Sequence, residues 1–342
     1  MMGQARRVLE QVRQAPAPWP GLENPELRAT VLWALQYDRR PTDLLLLRWL
    51  MDQEIAYRRA QDGLGEVAEL AGFLVAEHRQ LQDVTRHWGL KRANFDAGAG
   101  YDTQYLFAAG VSATIAYVRE SDLPDREALL DYLVDRAIDL TEAELADWFA
   151  ARRSWFPADE TAEDPMTWID RAQLVGRSDL ARQWLYEWAA GRERDRETLS
   201  GLRYRLAEMG DPAGAADAQR ELIDLAGEPM DVAGGWQELA ELERTAGRTN
   251  AAWEALRRCG LALADVPGWE RYGLGRSYVS ELFWLAGVAE AAVASQAFAV
   301  ADGAVVRLTW VPAVLLDAAI SAADRLGYAQ RSAHYRAARS AL

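Results

Sequence analysis

This sequence predicts an all-α fold, on three observations. No stretch alternates apolar and polar residues as a half-buried strand would, whereas apolar residues recur at helical spacing along most of the chain. Helix start and stop signals punctuate that pattern. In the C-terminal half, glycines recur with a small residue five positions on, the arrangement that stacked helix pairs require.

The chain has 342 residues, 50% of them hydrophobic, enough to bury a sizeable core. Charged residues make up 26%, a composition that folds. The net charge is −14. Nucleic acid binding neutralises phosphates with Lys and Arg, so this balance disfavours nucleic acid and favours a basic protein or peptide partner through long-range attraction. A single cysteine, Cys259, cannot form an internal disulfide. The opening "MMGQARRVLEQVRQ" is amphipathic and lacks the apolar core of a signal peptide. The most apolar run, "DLLLLRWLM", is broken by Arg48 and falls short of the roughly 20 residues that span a bilayer. A cytoplasmic protein without a membrane span is expected. Among the 38 basic residues only Lys91 is lysine, and alanine is abundant, as in the coding sequences of GC-rich bacteria.

The elements follow in order. A first helix is expected over about Gln4–Gln14, then a proline-rich connector, "APAPWPGLENP". Asn24 and Pro25 supply an N-cap and first turn for a helix through Tyr37. A third helix starts near Thr42; its first turns are apolar all round, which predicts a central place. Val67, Leu74, Leu81 and Trp88 form a stripe at seven-residue spacing, predicting one helix from Leu64 to Trp88 closed by Gly89. Further helices are expected over Asp102–Glu120, Asp125–Leu140 and Thr141–Arg153, the last opening with a Thr141–Glu144 capping box. The acidic "FPADETAEDP" separates an N-terminal helical region, 1–155, from a second region, 163–342.

In that second region five segments share one template. Gly176, Gly210, Gly247, Gly287 and Gly327 are 34, 37, 40 and 40 residues apart, and five positions on stand Ala181, Ala215, Ala252, Ala292 and Ser332. Two antiparallel helices joined tightly need a residue tolerant of positive φ at the first helix's end, and a small side chain where the second crosses the first. The best unit has Trp236, Leu239, Ala240, Gly247 and Ala252. With these residues the region resembles the tetratricopeptide-type helical repeats, at their aromatic, leucine, small, glycine and alanine positions. At the leucine position the other units carry Trp168, Leu202, Val279 and Ala319. The proline expected at each unit's end is replaced by Glu193, Gly227, Ala264 and Ala304, and "GEPMDVAGG" and "DVPGWERYG" read as longer connections. A faint echo, "LFAAGVSATIAYV", stands in the first half. The resemblance implies an α-solenoid of about five helix pairs that serves as a protein- or peptide-binding surface.

Candidate chemistry centres on "LKRANFDAGAGYDTQYLFAAG". Asp96, Gly98, Gly100 and Asp102 alternate like a calcium loop, but the twelfth position is Phe107, not a carboxylate. Thr103 stands where a dinucleotide loop needs its third glycine, and no Gly-Lys-Ser/Thr follows. A turn whose helix is capped by Asp102 or Thr103 is the structural reading; an aromatic-rich contact loop of Lys91, Phe95, Asp96, Tyr101 and Asp102 is the functional one. His78, His87 and His334 form no ligand pattern, and no HExxH or GxSxG occurs, so no metal, cofactor or catalytic residue is assigned. Asp131, Asp135 and Asp139, at four-residue steps, read as a solvated helix face. Trp269 and Tyr272, in a long connection near arginines, have the composition of an exposed binding spot. The function expected is a non-catalytic scaffold for a basic protein or peptide, including an inhibitor or immunity-type protein; the alternative is a helical enzyme or small-ligand binder using the Asp96–Asp102 loop.

Overall fold

The computed structural model describes residues 2–342, and among these every regular element is helical. The chain forms two compact units that divide between Thr167 and Trp168. The first holds α1 (Met2–Gln14), α2 (Pro25–Tyr37), α3 (Leu44–Ala60), α4 (Glu66–Ala76), α5 (Val84–Lys91), α6 (Phe95–Gly100), α7 (Val111–Glu120), α8 (Arg126–Arg136) and α9 (Glu142–Trp155). Helix α10 (Pro165–Leu174) spans the division. The second unit continues with α11 (Ser178–Ala190), α12 (Arg196–Glu208), α13 (Pro212–Asp224), α14 (Pro229–Thr245), α15 (Thr249–Ala264), α16 (Gly273–Ala286), α17 (Ala291–Val305), α18 (Ala313–Arg325) and α19 (Ala329–Ser340).

The second unit is a stack of helix pairs. Helices α12–α13, α14–α15, α16–α17 and α18–α19 pack as hairpins. First helices touch first helices, α14 on α16 and α16 on α18, and α15 touches α17. That order lets each pair bury its second face on its neighbour. The turns explain the glycines. Gly176, Gly210, Gly247 and Gly327 have φ of +71°, +71°, +76° and +74°. The residue after each donates its N–H to a carbonyl five residues back, as Arg248 does to Glu243 at 2.8 Å, and Gly247 donates to Arg244 at 2.9 Å. This is the Schellman closure. Ala181, Ala215, Ala252 and Ser332 are then buried against the first helix.

Gly287 departs from the expected template. Its φ is −73°, so it prolongs α16 in right-handed conformation. The turn lengthens by two residues, α17 starts at Ala291, and the buried small residue is Ala294 while Ala292 is exposed. The expected connection "GEPMDVAGG" is also mostly helix: Pro229 opens α14, which lengthens to 17 residues.

In the first unit Asn24 caps α2 by accepting from Leu27 N–H at 2.9 Å, and the Thr141–Glu144 capping box opens α9. The expected helix Leu64–Trp88 is broken after Ala76. Arg79 takes φ +51°, a 3₁₀ turn covers Leu81–Asp83, and Gly89 lies inside α5. The cause is nonlocal. Arg48 of α3 grips Asp83 with two hydrogen bonds, 2.7 and 3.0 Å, and pulls the chain out of helix. Forty residues earlier Arg13 grips Asp43 the same way, at 3.0 and 2.6 Å, at the end of the 3₁₀ turn Pro41–Asp43. The expected helix Asp102–Glu120 is likewise a 3₁₀ segment, Thr103–Phe107, and then α7. Gly110, at φ +109°, allows the bend, and Glu142 accepts the α7 Val111 N–H at 2.8 Å. Helix α8 stops at Arg136 rather than Leu140. The start of α3 is not apolar-buried all round either: Leu45 is 65% exposed.

Because a side chain at positive φ is strained, Gly247→Ala is expected to destabilise the second unit by about 1–2 kcal/mol, read as a lower urea midpoint with unchanged helical circular dichroism.

Candidate functional site

The stretch singled out by sequence is clipped onto the α3–α4 connection. Asn94 donates to the carbonyls of Arg58, Gln61 and Gly63 at 2.9, 2.8 and 3.0 Å, and its side-chain oxygen caps α6 by accepting from Ala97 N–H. Asp96 accepts the Gly63 N–H at 2.7 Å. Lys91 is buried, and its ammonium donates to the carbonyls of Gly98 and Tyr101. Gly98 and Gly100, expected to form a turn, lie in the short helix α6. Asp102 makes no capping bond; it pairs instead with Arg152 of α9. Of the candidate residues here Phe95 and Asp96 are exposed, Phe95 at 88%. Lys91, Asp96 and Asp102 therefore each complete a backbone or an ion pair.

Tyr101 and Tyr105 lie against His87 in a stack of rings, with centroids 4.8–6.2 Å apart. The Tyr101 hydroxyl sits 2.7 Å from His87 Nδ1 and fits only because residue 72 is glycine; a Cβ there would lie 2.1 Å from that oxygen. Burial, aided by Arg86, holds the His87 imidazole down to about 3, so it is neutral. Burial also raises both tyrosine phenols above their ordinary range.

Two features of the first unit do face outward. Residues 120–147 contain ten Asp or Glu and two Arg, and they cover α8 and the start of α9. Asp131, Asp135 and Asp139 are all exposed there, but only the first two share the α8 face, Asp139 lying past its end; Val134 and Ile138 stand beside them, the latter 74% exposed. A cleft of about 690 Å³ is lined by Glu66, Glu69, Glu163 and Asp164 next to exposed Trp155. Burial raises the Glu69 carboxyl above its usual value, against the pull of Arg152.

The connection in the second unit differs from expectation. Trp269 is only 8% exposed: its ring packs on Gly275 and meets Tyr278 edge-on at 6.1 Å. Tyr272 is half exposed. The reason is Gly275, whose missing Cβ leaves room for the indole; a Cβ would lie 2.8 Å from the ring. Trp269 is thus the wall of a cleft of about 500 Å³ between the ends of α15 and α17, not an exposed aromatic. Sequence reasoning missed the cleft's other members, Tyr278, Glu270 and Arg307, which come together only when α15 and α17 stack. Among the described residues no three His, Cys, Asp or Glu side chains gather as a metal site, and no helix is long and apolar enough to cross a membrane.

His87 gives a pH test. The folded chain refuses a proton that the unfolded imidazole takes below about 6.5, so stability is full above that pH and falls as pH drops toward 3. At pH 5 the loss is expected to be about 2 kcal/mol, and denaturant melts of His87→Gln should lack this slope.

Compared with family models, curated proteins and solved structures, the chain matches none.

Proposed function

We propose that this chain is a non-catalytic, cytoplasmic binding protein of bacterial origin that captures a basic protein or peptide, and that its second unit is a tetratricopeptide-like scaffold. An inhibitor or immunity-type protein that covers a basic enzyme is the concrete form. The observation that carries this reading is where the negative charge sits. Of the 52 acidic residues, 28 lie in residues 1–167, against 18 of the 38 basic ones, and the surplus peaks on the exposed α8–α9 face. Exposed apolar side chains set among like charges, as Val134 and Ile138 are, combine attraction at long range with a desolvated contact. The helix-pair stack supplies the extended surface that such scaffolds use. Internal use of Lys91, Asp96 and Asp102 leaves the Leu90–Gly110 stretch a structural part of this protein rather than its reactive one.

The test is capture from lysate of the source cells on tagged protein, washed at low and high salt and read by mass spectrometry. One near-stoichiometric basic protein, released by salt, is expected. The double variant Asp131→Lys, Asp135→Lys should cut its association rate at least tenfold at low salt, because steering of this kind is electrostatic. An unchanged rate, or recovery of no basic protein, would refute the reading.

A further inference from the structure

We propose that the cleft beside Trp269 is a pocket for an arginine side chain of the basic partner, which enters by displacing the protein's own Arg307. This rests on the reading that the partner is basic.

The cleft's charge has one sign apart from Arg307. Helices α15 and α17 both end here: Leu263 and Ala264 from one last turn and Gly303 and Ala304 from the other line the wall. Two helix C-termini present partial negative charge to the same space. Glu270 adds a carboxylate, held below its ordinary value by its backbone hydrogen bond and by Arg307. Trp269 adds an aromatic face. The Arg307 guanidinium already lies 5.0 Å from that ring's centre and pairs with Glu270. A guanidinium is therefore the group this site holds in the free protein, and the side chain that supplies it is 57% exposed, so its ion pair costs little to break. An anion would face Glu270 and both helix ends, so it is disfavoured.

One glycine and one hydroxyl point the same way. Gly260 has a packing reason, since a Cβ would lie 2.6 Å from the Tyr278 hydroxyl. Gly303 has none: a Cβ there meets nothing within 4 Å, yet glycine weakens a helix. Close approach of a ligand to the backbone is a reason for glycine that packing does not supply. Tyr278 is buried to 94% and lines the cleft, with its hydroxyl packed beside Gly260. A phenolic oxygen at that place can accept from a guanidinium N–H. The volume, about 500 Å³, suits one long side chain and its flanking backbone.

The probe is N-acetyl-arginine methylamide, with the uncharged citrulline analogue as control. The readout is the indole N–H resonance of Trp269, assigned by its loss in Trp269→Phe. The arginine probe should shift that resonance and the citrulline probe should not. Arg307→Ala should tighten binding at least threefold. Gly303→Leu fills open space, so it should keep the melting temperature and abolish the shift. Equal response to citrulline, no response in either wild type or Arg307→Ala, or full binding by Gly303→Leu would overturn the proposal. Capture of the same basic protein by Gly303→Leu as tightly as by wild type would refute this pocket while leaving the proposed function intact. A specific arginine response without any captured basic protein would do the reverse.

Discussion

The constraint on which the second unit depends is that two helices joined by a short turn cannot bury both of their faces alone. The solution needs two local conditions at once. The first helix must stop within one residue, which the positive φ of Gly176, Gly210, Gly247 and Gly327 allows. The second must then come close, which Ala181, Ala215 and Ala252 allow. Larger residues would hold the pair apart and open the seam on which the next pair packs. The core follows from this: Leu239, Leu256, Val279, Leu282 and Phe283 belong to consecutive helices and share one apolar layer.

The first unit obeys a different rule. Ion pairs set two of its turns, at Asp43 and Asp83, beside others that glycines at positive φ allow. Asp43 and Asp83 are nearly inaccessible, and each is gripped by an arginine from a preceding helix. Removing Arg13 would strip buried Asp43 of its ion pair, which is far more damaging than losing a surface pair, whereas Asp83 would keep Arg86. Arg28 and Glu54 form a third such pair, deeper still.

The sequence is legible where the physics is local. Positive-φ glycines, the Asn24 cap and the Thr141–Glu144 box need only neighbouring residues to work, and each stands where its signal lies. Legibility fails where a distant residue decides. The stripe Val67, Leu74, Leu81, Trp88 looks like one helix until Arg48 takes Asp83. Gly287 has the right identity but not the conformation. Trp269 looks exposed because a tryptophan in a connection usually is; Gly275, six residues on, covers it. The acidic face was readable as solvated, since four-residue spacing aligns Asp131 and Asp135 on α8, although Asp139 lies in the turn beyond its end. Its place as the centre of the charge surplus emerges only once α8 and α9 are seen to be exposed.

Lys91 has a chemical consequence. It is the chain's single lysine, it is 9% exposed, and its nitrogen is occupied by two carbonyls. The surface's positive charge is therefore carried mainly by guanidinium groups and by no side-chain amine, and guanidinium groups stay ionised at every pH a cell reaches. Acetylation or ubiquitination of a side-chain amine finds no accessible target among the described residues. The balance of charge that this surface shows to a partner is fixed against that entire class of modification, and amine-reactive labels and crosslinkers will pass its side chains by.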